Sequence, residues 1–154
     1  MDDLPPAFWQ GVAEFNQGQY YACHDTLEAL WIEATDPLKS LYQGILQIAV
    51  ACYHLGNQNW QGAVVLLGEG ISRLHPYEPQ FSSVDIEHLV NVSTNLLECL
   101  QQSDPEQVAR FSPLFVESTQ QSDTGDREAT ADDTFTLVPK IITVLSCQQD
   151  GGTA

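Results

Sequence analysis

The stretch Tyr20-Tyr21-Ala22-Cys23-His24-Asp25-Thr26-Leu27-Glu28-Ala29-Leu30-Trp31 decides how the chain is read, because its apolar pattern is that of a helix with two ionisable groups on the apolar stripe. At roughly 100° per residue, and with His24 as zero, Tyr20, Leu27, Glu28 and Trp31 all fall within about 60° of it. Asp25, Thr26, Ala29 and Glu33 take the opposite arc. A buried charge without a partner is too costly to persist. The pattern therefore predicts that His24 and Glu28, one turn apart, pair with each other, bind a metal, or meet polar groups on a neighbouring helix.

The flanking sequence supplies the neighbours. Pro5 and Pro6 can open a first helix with Phe8, Trp9, Val12 and Phe15 on one face, and Asn16-Gln17-Gly18 stops it. The second helix runs to about Ala34, and Asp36-Pro37 leads into a third, about Leu38 to Leu55, that is apolar nearly all round and so belongs at the centre of a bundle. Its polar residues Gln43, Gln47 and His54 project within a wedge of about 40°. The wedge either faces water or is aimed at His24 and Glu28. Gly44 allows a close backbone approach there.

Gly56-Asn57-Gln58-Asn59 is a stop and turn, and a fourth helix follows from Trp60 to His75. Gly62, Gly68 and Gly70 each lower its helix preference by roughly 1 kcal/mol relative to Ala, so tight packing is expected to compensate. After the loop His75-Pro76-Tyr77-Glu78-Pro79, Ser83 or Asp85 can cap a fifth helix with Ile86, Leu89, Val90, Leu96, Leu97 and Leu100 on its face. The expected fold is thus all-α, an antiparallel helical bundle of about five helices over residues 1–104, with an irregular extension over 105–154. Within that extension Glu106 to Phe111 reads as one or two helical turns, and Glu117 to Asp133 as a polar, acidic, flexible linker. Thr134 to Leu145 is β-branched and apolar around Pro139. It is read either as an extended strip docked on the bundle or as a peptide for a partner, and Pro139 argues against a central strand.

Composition narrows the function. At 154 residues and 43% hydrophobic content the chain is expected to fold as one domain with a sizeable core. Its net charge of −16, from 21 acids against 5 Lys and Arg, argues against nucleic acid or an anionic membrane as partner and favours cations, metals or basic proteins. Cys23, Cys52, Cys99 and Cys147 have no Cys-x-x-Cys spacing, so reduced packed thiols are expected. The acidic start lacks the apolar run of a secretory signal. Leu41 to Leu55 is shorter than the ~20 residues of a membrane span. A soluble cytoplasmic protein is the expectation, and its composition is compatible with a homo-oligomer.

The combined pattern Phe15-Asn16-x-Gly18-x-Tyr20-Tyr21-x-x-His24-x-x-x-Glu28-x-x-Trp31, then Gln43-Gly44-x-x-Gln47-x-Ala49, Gly56-Asn57 and Gly62-Ala63, resembles the DUF309 family over roughly residues 8 to 100. The resemblance implies an all-helical bundle in which His24, Glu28, Trp31, Gln43, Gln47 and His54 correspond, or lie close, to signature positions. Members have been described as predicted metal-dependent hydrolases. Asp25 stands where the family more often has Glu, and the sequence beyond Pro105 lies outside the resemblance.

Three functional classes stay open. In the first, a buried polar network of His24, Glu28, Trp31 and a Gln fixes helix register, with a small-molecule pocket lined by Tyr20, Trp31, Gln43, Gln47 and Tyr53. In the second, His24, Glu28 and His54 hold a divalent metal ion, completed by Glu14 or Glu69, and Glu28 serves a hydrolase as ligand or general base. In the third, the helices form a protein-interaction scaffold.

Overall fold

The computed structural model describes residues 4–116 and 137–144. Pro6 occupies the first turn of α1 (Pro6–Asn16), where its missing N–H costs nothing. Gly18, with φ of +81°, takes the left-handed conformation that reverses the chain into α2 (Tyr20–Glu33). Next come α3 (Leu38–Gly56) and α4 (Trp60–Leu74). Asn59 caps α4 by accepting the Gly62 N–H at 3.0 Å.

A 3-10 turn, His75–Tyr77, leads to a two-stranded hairpin that the pattern did not suggest, β1 (Gln80–Phe81) paired with β2 (Val84–Asp85). Two residues per strand are too few for alternation to register. Asp85 then caps α5 (Ile86–Gln101), its Oδ1 accepting the His88 N–H at 2.9 Å. A 3-10 turn over Pro105–Gln107, the single-turn α6 (Val108–Phe111) and a 3-10 turn over Ser112–Phe115 end the continuous part. The fold is all-α, as the periodicity predicts, with consecutive helices packed side by side in chain order.

Helix α3 lies between α2 and α4, and Leu41, Ile45, Ile48, Ala51, Cys52 and Leu55 on it are fully buried. Its contact with α4 is close because both helices lack side chains where they cross. A Cβ on Gly44 would lie 2.7 Å from the Leu74 side chain, and one on Gly70 would lie 2.7 Å from Ile48 Cγ1 and 2.9 Å from the Gly44 carbonyl oxygen. Packing thus compensates for Gly70, as expected. It does not for Gly68, whose Cβ would meet nothing within 4 Å.

The extension packs on the same core. Val108 and Phe115 are buried, Ser112 Oγ donates to the Gly56 carbonyl at 3.1 Å, and a Cβ on Gly56 would come within 2.6 Å of the Phe115 oxygen. Lys140 and Ile141 bond Asn16 of α1, with Ile141 only 2% exposed, and residues 142–144 run beside the hairpin, with Thr143 bridged to Val84. Of the two readings of the apolar strip, docking on the bundle is the one seen, at an edge where Pro139 is tolerated. The linker assigned to 117–133, like Cys147, falls outside the described residues. No helix among the described residues is long and apolar enough to cross a membrane.

These contacts set opposite expectations for two glycines of one helix. Gly70→Ala overpacks the crossing and should lower unfolding stability by about 1–3 kcal/mol, whereas Gly68→Ala should raise it by up to about 1 kcal/mol. Urea denaturation of both variants measures the difference.

Candidate functional site

The expectation that His24 and Glu28 are buried and aimed at the amides of the third helix needs correction. Helix α2 buries Tyr20, Cys23 and Leu27, so the centre of its apolar stripe lies about 70° from His24 on a 100°-per-residue wheel. Centring the stripe on the aromatics, without Cys23, displaced it. His24, Glu28 and Trp31 therefore line its edge. The side chain of His24 is 27% exposed and that of Glu28 47%.

At that edge His24 has two acidic neighbours. Its Nδ1 lies 3.2 Å from Asp25 Oδ1 and its Nε2 4.0 Å from Glu28 Oε1. One ligand atom from each of the three residues lies within 4.8 Å of the others. Asp25, placed by the sequence reading on the wet arc, is thus a member of the group. The i, i+1 spacing that puts its Cα on another face does not stop its short side chain from reaching the imidazole.

Behind His24 is a cavity of about 130 Å³ lined by Tyr20, Tyr21, His24, Val50, Tyr53 and His54. Tyr21 stacks on the His24 ring at 5.8 Å between centroids and 21° between planes, and meets Tyr53 at 5.4 Å. That volume is near the ~150 Å³ that takes one benzene ring in an apolar protein cavity. Tyr20 is 1% exposed, set between Phe15 and Phe115, and hydrogen-bonds Cys52.

His54 faces this cavity from α3 but stands outside the three-residue group. Asn59 Oδ1 is taken by the Gly62 N–H, so its Nδ2 is the atom that approaches His54 Nδ1 at 3.3 Å and donates to it. A neutral His54 then carries its proton on Nε2. Gly62 is small for the same reason: a Cβ there would lie 2.9 Å from the His54 ring.

The other predicted site residues go elsewhere. Gln47, 9% exposed, donates to Glu69 Oε1 at 3.1 Å and accepts from Arg73 Nε at 3.3 Å, so it faces α4 and not His24. Glu69 and Arg73 also line an open concavity along α4 with Val65, Gly68 and Ser72. Gln43 is half-buried. Trp31 holds Lys39, whose Nζ donates to the Trp31 carbonyl at 2.7 Å and sits 4.5 Å from the ring centroid. Its indole Nε1 is buried without a hydrogen-bond partner among the described residues. Glu14 accepts from Thr26 Oγ1 at 2.8 Å.

Residues 8–66 match the family model described as "Domain of unknown function (DUF309)". Over that stretch the chain is similar to DUF309 domains. The stretch holds α1, α2, α3 and the start of α4, and with them His24, Asp25, Glu28 and every residue lining the 130 Å³ cavity. The chain is also 34% identical over 112 residues to "Uncharacterized protein YpuF" of Bacillus subtilis (strain 168), an alignment covering 70% of this chain and 60% of that relative's length. No solved structure matches the chain significantly.

Two thiols of the matched stretch, Cys23 and Cys52, are fully buried and chemically quiet. Burial, with the Glu14 charge adding to it, pushes the Cys23 thiol up to about 12, and burial pushes Cys52 up as well. At pH 8 the Cys23 thiolate is then scarcer than that of an ordinary cysteine by a factor on the order of 10³. Neither thiol is available as a nucleophile. In the folded protein, iodoacetamide at pH 8 should leave Cys23 and Cys52 unmodified until global unfolding, which peptide mapping by mass spectrometry will register.

Proposed function

We propose that the DUF309-matched stretch of this chain binds a divalent cation through His24, Asp25 and Glu28, and takes a small apolar group of a ligand into the cavity beside them. The observation that supports this reading most directly is the convergence of one imidazole and two carboxylates within 4.8 Å on the rim of an aromatic pocket. The donor set fits such an ion. Three protein ligands of N and O type are what open zinc-like sites use, and the 4.0 Å between His24 Nε2 and Glu28 Oε1 is within the sum of two metal–ligand bonds of ~2.1 Å. The protein's net charge of −16 raises the local concentration of cations.

The chain's own groups have distinct parts in this reading. Asp25, whose Oδ1 lies 3.2 Å from His24 Nδ1, supplies the second carboxylate of the donor set. Tyr21 holds the ring by stacking. Val50, Tyr53 and Tyr20 keep water from the apolar end, and His54 Nε2 donates a hydrogen bond to a polar atom of the ligand.

A second reading, a metal-dependent hydrolase, is favoured by the exposure of the donors, which leaves coordination positions for water and substrate. A bound cation would there supply Lewis-acid polarisation and an activated water. Glu28, the carboxylate neighbour that faces His24 Nε2 at 4.0 Å, would be the base.

Equilibrium dialysis of the full chain against Zn²⁺ and Mn²⁺ tests the cation. One ion per chain is expected, with affinity reduced by about 10–100-fold in His24→Ala and by a lesser factor in Asp25→Asn. His54→Ala should stay within about threefold of the parent, a difference under 1 kcal/mol. Binding unchanged by His24→Ala would overturn the assignment.

A further inference from the structure

The segment Lys140–Val144 is far in sequence from everything it touches, and what it offers its partners is mostly backbone. The Ile141 N–H donates to Asn16 Oδ1 at 2.8 Å, and the Ile141 carbonyl accepts from Asn16 Nδ2 at 2.9 Å. One side-chain amide thus presents what a neighbouring β-strand would present to a single residue. Further along, the Ile142 carbonyl accepts from the Asp85 N–H and the Val144 N–H donates to the Ser83 carbonyl, each at 2.9 Å, around the Thr143–Val84 bridge. Side chains alternate as in a strand, with Ile141 2% exposed and Ile142 41%.

Two positions make demands beyond the backbone. Ile141 must fill an apolar slot. Lys140 must lay its half-buried stem along the surface and deliver Nζ to the Asn16 carbonyl at 2.7 Å, at the C-terminal end of α1 where the helix carries partial negative charge. Desolvation lowers the pKa of that amine, yet the carbonyl receives it. Asn16 belongs to the DUF309-matched residues, whereas Lys140–Val144 lies beyond them.

We propose that the groove between Asn16 and β2 is a peptide-recognition site that works by strand addition, occupied here by the chain's own Lys140–Val144, and that it accepts in trans an extended peptide of a partner protein carrying Lys followed by two β-branched residues. Main-chain hydrogen bonds supply affinity in this mode, and alternate side-chain pockets supply selectivity. The acidic surface favours a Lys-bearing strand over an acidic one. The resident segment, being part of the same chain, competes at the high effective concentration of a tethered ligand. Partner binding therefore requires that the segment leave. The inference stands apart from the cation site, since none of the residues involved is a cation donor.

A fluorescent peptide with the sequence of residues 137–144, titrated against the full chain by anisotropy, tests the proposal. Ile141→Asp puts a carboxylate into the apolar slot and should release the resident segment. The peptide should bind that variant one to one and at least about tenfold more tightly than it binds the parent chain, whose segment competes. Adding Asn16→Ala to the variant, or using a Lys140→Glu peptide, should each weaken binding at least about tenfold. Ile141→Ala, a milder change, gives the same comparison if Ile141→Asp fails to fold by circular dichroism. A folded variant that binds the peptide no better than the parent, or equally well without Asn16, would overturn the proposal. So would a dimer of the parent chain held by exchanged segments, which would make a second copy the occupant.

Discussion

The closeness of α3 and α4 is the constraint on which the rest of the structure depends. Gly44 and Gly70 let the two backbones approach until a single added methyl group would clash, and that leaves α3 enclosed by α2 and α4. With α3 enclosed, its polar groups must find partners on the flanking helices. Gln47 finds Glu69 and Arg73 on α4, and His54 finds Asn59 at the turn between the helices. Toward α2, α3 presents Val50, Tyr53 and the Asn59-held His54, and the cavity they form with Tyr20 and Tyr21 carries its charge at the His24 rim.

Most of the fold was legible because it is carried by local signals. Pro6, Gly18, Asn59 and Asp85 each mark a helix boundary by a mechanism confined to one turn, and all four act where the sequence places them. The hairpin was not legible, its strands being two residues each, and docking of the apolar strip was only one of two open readings, since its bonds join residues such as Asn16 and Ile141 across 125 positions. The candidate site lies between these cases. A helical wheel gives the right face of α2 but not how wide a stripe the core will take, and Cys23, counted as apolar, moves its centre away from His24. Asp25 was missed because a wheel follows Cα directions and not the reach of a side chain. Gln47 was assigned to the wrong neighbour because a polar wedge on a central helix has two flanks, and the sequence does not say which helix stands on which.

The DUF309 match acquires physical content from the glycines and the asparagine in it. Gly44 admits Leu74, Gly62 leaves room for the His54 ring, and Gly56 lets the Phe115 backbone cross the end of α3. Asn16 fastens a strand from outside the matched region. Such residues carry shape and not chemistry, and they hold the rim residues in their places.

Three of the chain's five basic residues reveal how the fold stands against its own charge. Lys39 is bound to a carbonyl and an indole, Arg73 to an amide, and Lys140 to a helix end. Among the described residues the ion pairs formed by carboxylates are with histidines. The acidic surface is thus left to repel itself, and dissolved counterions take over the neutralising work that lysine and arginine do elsewhere. The molecule is a polyanion whose firmness is borrowed in part from the salt around it.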